Sequence, residues 1–494
     1  MMRFVKLMFW AACGVQLLAG GVSPGGALAG VKEDAAIDKM IAAYGGDALL
    51  ELKTLRINDR YKGFRAGQSV SPDEIDLSHY NAQVTIDFEN RRKALQWVRG
   101  SQPNISLQHQ IFDGKKGYFL NHTAKTLTQN EGTTYTNADR RVSLLLDTVL
   151  ARVTSGARDK AVYKGEENYR GAAHEKILLQ ADGFPEMTLY IDAESGRISK
   201  MQRAHWVAGR YFNYQFSDYR QQDGITYANS TYVTRGGKPF EIVTARSVTF
   251  NPDSTDVWGA FTLPVEYGED KPTLAFSEMA VKKLAEGVYL AGKNWGFSIF
   301  VDAGDYFIAA GGYEGLKDRF EAMKAFAGVD KPLKLQLVSH HHIDHLGGMK
   351  EAFELGAAFV TVKEHVASIR ESAGVAIADD RFIIVDGSGS VAGGKARVVD
   401  FPSGHTSHML LSYFPDAKIA FTADTFFSRQ EAGSPNGYEG LNAFKKVFAD
   451  NNLDAQYFAA AHSGRVLTAA DLDAAINNIR EDAVCPADWA FCME

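Results

Sequence analysis

Ile37, Met40, Ile41 and Tyr44 recur at helical spacing, and Gly45-Gly46 ends that run. The period then shortens. Val84, Ile86 and Phe88 alternate with polar residues, and Asn90-Arg91 separates them from Leu95 and Trp97. Asp113-Gly114, Asp182-Gly183, Asp223-Gly224 and Gly236-Gly237 punctuate further strand-like runs, among them 187–191 and 242–250. Short strands with Gly-centred turns predict a mostly antiparallel sheet, with the early helix as a cover for one face. The stretch 251–273, holding Pro252, Pro264 and Pro272, reads as a link between domains.

Beyond the link the pattern changes again. Apolar runs predict strands at 287–290, 297–301, 306–310 and 333–339, with a helix carrying Leu316, Phe320 and Met323 on one face before the last of them. A helix from about 346, strands at 358–362, 397–401, 410–414 and 419–422, a helix around Phe444, a strand at 456–460 and a helix capped by Thr468 follow. Strands and helices mixed in this way predict a layered α/β domain, so the whole chain is expected to be α+β in its first part and α/β in its second.

Length agrees with two domains, since 494 residues exceed one ordinary core. The net charge of -7 and the lack of a long basic run argue against nucleic acid as a partner. Arg3 and Lys6, an apolar run over 7–22 and Ala27-Leu28-Ala29 before Gly30 form a three-part export signal. Cleavage after 29 would leave a mature chain with no transmembrane anchor, periplasmic or secreted; lipid modification of Cys13 is the alternative, with Trp10 standing where such sites favour a branched aliphatic. Cys485 and Cys492 would then remain, and in an oxidising compartment they are expected to pair.

The chemistry concentrates in Ser339-His340-His341-His342-Ile343-Asp344-His345-Leu346-Gly347-Gly348. Side chains two apart on an extended segment point the same way, so His340 and His342 can converge on one ion. The turn into the following helix re-aims Asp344 and His345 toward a second position, and Gly347-Gly348 lets backbone pass close by. By accident the spacing H-x-H-x-D-H should occur on the order of once in two thousand such chains, which sets a surface His tract aside. Two metal spheres need more ligands, and three stand at later strand ends: His405, Asp424 and His462. Imidazoles and carboxylates together suit Zn2+, with Fe or Mn possible. His341 would point away from its neighbours, toward the support of the site or the surface. His408 competes with His405, but only His405 has Gly before it and Thr after it; His365 reads as a surface or packing residue, and His122 and His174 as structural ones.

These four separated motifs, in this order, resemble the metallo-β-lactamase superfamily over about the last 220 residues. The resemblance implies an αβ/βα sandwich over 273–494 with the site at one edge of paired sheets. It implies that His340, His342 and His405 bind one ion, that Asp344, His345 and His462 bind the other, and that Asp424 bridges them. Two departures stand out. Ala309-Ala310-Gly311-Gly312 replaces the family's Asp-Thr-Gly-like stretch, and true β-lactamases of the superfamily usually lack a carboxylate at the position of Asp424. Residues 30–272 resemble the open half-barrel of periplasmic lipoprotein-carrier proteins, on Ala43-Tyr44-Gly45-Gly46, Ile191-Asp192 with Gly196, and Asp223-Gly224-Ile225.

The expected function is an exported hydrolase of a small-molecule ester, thioester, lactone or phosphodiester, using a hydroxide held between two zinc ions, with Asp344 handling the proton. The alternatives are a mononuclear iron oxidoreductase acting on a sulfur or oxygen substrate, and a β-lactam hydrolase. An apolar ligand or a partner on residues 30–272 is expected on the same footing.

Overall fold

The computed structural model describes residues 24–479, apart from 101–105, 123–124, 205–210, 254–256, 258 and 270–273, together with residue 489. Most of the expected leader, with Cys13, and the pair Cys485 and Cys492 lie outside the described residues. The expected cleavage point after Ala29 falls within a helix, Pro24–Ala43.

The strand Thr54–Phe64 alternates strictly between half-buried and buried positions. Period-two alternation turns Leu55, Ile57 and Tyr61 to one covered face. The same rule places Asp59 on that face, and the sheet neutralises it there with Arg246, whose guanidinium forms a two-pronged pair at 2.7 Å with both oxygens. Thr54–Phe64 lies between Leu77–Asp87 and Lys238–Phe250, pairing antiparallel with each. Among the described residues fourteen strands form this one sheet, antiparallel throughout except where Gly268–Glu269 joins Thr126–Gln129 in parallel. The helix Pro24–Ala43 covers the apolar face with Ala36, Ile37 and Met40. A second helix, Asp147–Gly156, adds Val149, Leu150 and Ala151 to the same core.

The stretch 251–273, expected as a link, is packed in part where it is described. Val257, Ala260 and Phe261 are buried against Ala94, Ile111 and Leu120 of the sheet, and the Asn251 side chain accepts hydrogen bonds from the backbone of Lys53 and Thr54. Three prolines break its periodicity, and Val257, Ala260 and Phe261 still find cover while Val265 stays exposed.

The later part holds two mixed sheets. In the first, Ala280–Ala285, Val288–Lys293, Gly296–Asp302 and Phe307–Ala310 run antiparallel, and Leu333–Leu337, Ala358–Thr361 and Phe382–Ile384 continue in parallel. Alternate residues of its central strands enter different cores. Val288, Leu290, Ile299 and Val301 join a cluster shared with the second sheet, through Val398, Leu411 and Phe421. Tyr289, Ala291 and Phe300 join a cluster with helices Leu316–Ala327, Met349–Glu354 and Val366–Ala373. A sheet buried on both faces reads as near-continuous apolar runs, which is what the sequence shows here. The second sheet runs from Ser388–Val391 to Ser463–Thr468 and packs with Leu441, Phe444 and Leu472 of helices Gly440–Asp450 and Ala469–Ile476. A capping box between Thr468 and Asp471 starts the last helix, as Thr468 led us to expect.

Candidate metal centre

Each candidate ligand lies just beyond a strand end: His340 and His342 after Leu333–Leu337, His405 after Ala396–Phe401, Asp424 after Ile419–Phe421 and His462 after Tyr457–Ala460. Backbone bonds from Leu410 to Ser339 at 2.7 Å and from Phe297 to Ala461 at 2.9 Å draw these ends of the two sheets together. The helix after the His-rich segment begins at Met349, not 346, because residues 343–348 form a turn closed by His345 N donating to His342 O at 3.0 Å. That turn carries Asp344 and His345 into a group with His462, while the His345 ring stays beside His340 at a centroid distance of 4.2 Å. Glycine is required on both sides of it. A Cβ at Gly312 would lie 2.4 Å from the His345 carbonyl oxygen, and one at Gly348 would lie 2.4 Å from that of Tyr313. The Ala-Ala-Gly-Gly stretch therefore supports the site by close backbone approach.

The structure brings all seven sequence-expected residues together. His340, His342, His405 and Asp424 each offer a ligand atom within 4.8 Å of the others, and Asp344, His345 and His462 form a second such group. Asp424 faces both. Its Oδ2 is 3.0 Å from His405 Nε2 and 3.8 Å from His340 Nε2, while its Oδ1 is 2.8 Å from His345 Nε2 and 2.9 Å from His462 Nε2.

The donor atoms fit bound cations. His342 Nδ1, His345 Nδ1, His345 Nε2 and Asp424 Oδ1 are buried without a hydrogen bond of acceptable geometry, an arrangement that costs free energy unless something else satisfies them. His340 Nε2 and His405 Nε2 face each other at 3.3 Å, and His340 Nδ1 is 3.2 Å from Ser339 Oγ. Burial and neighbouring imidazoles hold His340 well below its usual range and His342 at about 3, so both keep a lone pair to offer. Burial pushes Asp424 up, but the charge of His345 and the close approach of His345, His405 and His462 outweigh it and hold the carboxyl well below its usual range. His345 is shifted upward: burial opposes, and the charges of Asp424 and Asp344 prevail.

Three participants were not visible in the sequence. Tyr313 donates its hydroxyl to Asp344 Oδ2 at 2.7 Å and lies 3.0 Å from His462 Nδ1. Burial, then the charges of Asp344 and Asp424, push its phenol far up, so it stays a donor. Gln68 donates to Asp344 Oδ1 at 2.6 Å, and the Ser69 carbonyl lies 2.9 Å from Nε2 of both His341 and His342. His341 is thus buried beside the site and outside both ligand groups. His408 pairs with Asp400 at 2.7 Å, His365 is a buried packing residue, and His174 is buried with Nδ1 on the Ala172 carbonyl. His122 stacks on His109 in the first sheet.

Residues 311–491 match the family model described as the metallo-beta-lactamase superfamily. This part of the chain is a metallo-β-lactamase superfamily domain. The hydroxyacylglutathione hydrolase of Rhodopseudomonas palustris (strain HaA2) is 36% identical over 94 residues, 19% of this chain and 33% of that relative. The chain therefore spans about a third of that curated relative's length. Among solved structures, a metallo-β-lactamase from Erythrobacter litoralis is 21% identical, with 42% of this chain and 98% of that one covered, at a TM-score of 0.33. The DIM-1 metallo-β-lactamase exposed to ceftazidime is 15% identical, with the same two shares covered and the same TM-score. These matches lend no support to the half-barrel resemblance of residues 30–272. Within the metallo-β-lactamase domain, the matched residues begin at Gly311, inside the Ala-Ala-Gly-Gly stretch, and contain all seven candidate ligands and Tyr313.

Proposed function

We propose that the chain is a metal-dependent hydrolase in which His340, His342 and His405 hold one zinc ion, Asp344, His345 and His462 hold the other, and Asp424 lies between them. The observation that carries this reading is the division of the Asp424 carboxylate, one oxygen toward each histidine group. Two separate ligand groups favour two ions over the single iron of an oxidoreductase. Bound there, the ions would supply the Lewis acidity that ionises water near neutral pH and polarises an acyl or phosphoryl centre.

The protein's own contribution is positional. Asp344 is ionised at neutral pH: burial raises its carboxyl, but His345 and the hydrogen bonds from Tyr313 and Gln68 bring it below the usual range. Asp344 is the carboxylate that would handle the proton released during hydrolysis, and the Tyr313 hydroxyl fixes the orientation of its Oδ2. A carboxylate at position 424 and the likeness to a hydroxyacylglutathione hydrolase favour ester, thioester or lactone substrates over β-lactams. The leader at 1–29 supports a periplasmic or secreted location for the enzyme, and no described helix is long and apolar enough to cross a membrane.

The test combines metal stoichiometry with a screen of ester, thioester, lactone, phosphodiester and β-lactam hydrolysis on zinc-reloaded protein. Asp424→Ala should lose the second ion and most turnover, and His340→Ala should weaken the first ion. Two tightly held ions with full turnover in the Asp424 variant would contradict the assignment. A wild-type protein holding one iron and consuming oxygen would select the oxidoreductase alternative.

A further inference from the structure

The loop between strands Thr54–Phe64 and Leu77–Asp87 belongs to the fourteen-stranded sheet, yet it ends against the metal centre. Its backbone presents carbonyls in sequence to the ligand loops. Gly67 O accepts from Ile343 N at 2.9 Å, Ser69 O from His341 and His342, and Val70 O from Ser407 N at 2.8 Å. The loop is built to hold this shape. Ser69 Oγ donates to Arg65 O and accepts from Asp76 N, Asp76 Oδ2 accepts from Val70 N, and Arg65 N donates to Asp76 O. Ser69 is 1% exposed.

These contacts select particular atoms. A carbonyl oxygen only accepts, so His342 must carry its proton on Nε2, which leaves Nδ1, buried and otherwise unpartnered, as the nitrogen with a lone pair to offer an ion in the group of His340, His405 and Asp424. The Gln68 carboxamide occupies Oδ1 of Asp344 and leaves Oδ2 as the oxygen facing His345 at 3.7 Å and His462 at 3.8 Å. Outer partners of this kind set ligand orientation and tautomer.

We infer that residues 65–76 are a positioning element of the metal centre, in which Ser69 fixes the tautomer of His342 and Gln68 fixes the orientation of Asp344, so that the metal site is completed by the first sheet. The inference rests on the proposed two-ion site and on no particular substrate. Gln68 is a positioning residue, and its role reduces to one donated hydrogen bond.

The experiment is cobalt(II) titration of the metal-free full-length chain, followed by absorption, with no turnover measured. The variants are Gln68→Ala, Gln68→Glu, Gln68→Lys and, as a control on a remote contact with the same sheet, Lys238→Ala, which breaks the exposed pair with Glu371. Loss of an outer partner weakens metal binding roughly 10- to 100-fold. The expected result is a loss of that size for the second ion in Gln68→Ala and a larger one in Gln68→Glu, with substantial recovery in Gln68→Lys, which restores a donor. The first ion and Lys238→Ala should stay close to wild type. Wild-type affinity for both ions in Gln68→Ala would overturn the inference, as would equal impairment in the alanine and lysine variants, which would mark loop packing as the cause. A wild-type chain that binds no cobalt would overturn the two-ion site and this inference with it, whereas failure to hydrolyse any substrate would leave the cobalt result standing.

Discussion

Tyr313→Phe removes one oxygen atom from the centre and little else. The ring makes edge contacts with His345 and His462, at centroid distances of 5.2 and 5.3 Å, and phenylalanine keeps both. What disappears is the hydroxyl donated to Asp344 Oδ2 at 2.7 Å and held 3.0 Å from His462 Nδ1. A hydrogen bond to a charged group contributes about 1.5–3 kcal/mol. That range corresponds to roughly 10- to 150-fold in an equilibrium constant, at about 1.4 kcal/mol per factor of ten. Both contacts fall on the proposed ligands of the second ion, so the loss should appear there and leave the ion proposed at His340, His342 and His405 nearly unchanged. Zinc competition against a chromophoric chelator, starting from metal-free protein, resolves the two affinities. An unchanged second affinity would refute the claim that the hydroxyl supports Asp344. Equal weakening of both ions would show that Tyr313 acts through general packing.

Arg246→Met should destabilise the fourteen-stranded sheet by about 3–5 kcal/mol in urea unfolding, because it leaves the buried Asp59 carboxylate unpaired; a loss under about 1 kcal/mol would contradict the pairing argument. Burial raises the Asp147 carboxyl from its usual 3.8 to about 6, against hydrogen bonds from Ala228 and Tyr44. The folded chain therefore binds the extra proton between those values, and this group's contribution to stability falls by about 3 kcal/mol as pH rises through the window. Comparing thermal midpoints across pH, Asp147→Asn should lack that component, and parallel profiles for the two proteins would refute it. His341→Ala should leave both ions bound with at most about a threefold change in affinity, since its bond to Ser69 lies one step behind the ligands and His342 keeps its own bond to the same carbonyl. Loss of an ion in that variant would move His341 into the ligand set.

The residues that cluster at the candidate site were legible because each group follows an apolar strand, and the strand positions were readable from runs such as 333–337 and 457–460. The turn at 343–348 was not located, since a helix start and a tight turn share the same residues there. The helix Asp147–Gly156 escaped notice because Thr148, Thr154 and Ser155 blur its apolar face. Tyr313 carried only a weak signal, an aromatic directly after Gly-Gly at a strand end. Gln68 and Ser69 carried none. They lie more than 270 residues from the aspartate and histidines they contact, and a backbone carbonyl has no side-chain signature at all.

The carboxylate of Asp424 has a thermodynamic corollary. With the proposed ions held on both sides of it, occupancy of either position would alter the orientation and charge seen by the other, so the two binding equilibria would form one linked system. Whatever factor the first ion imposes on the affinity of the second, the second imposes on the first. Asp424→Asn should bring that factor close to one, because an amide offers a single accepting oxygen. The enzyme would then respond to scarce metal as two independent sites, with a population of singly loaded molecules set by two unrelated constants.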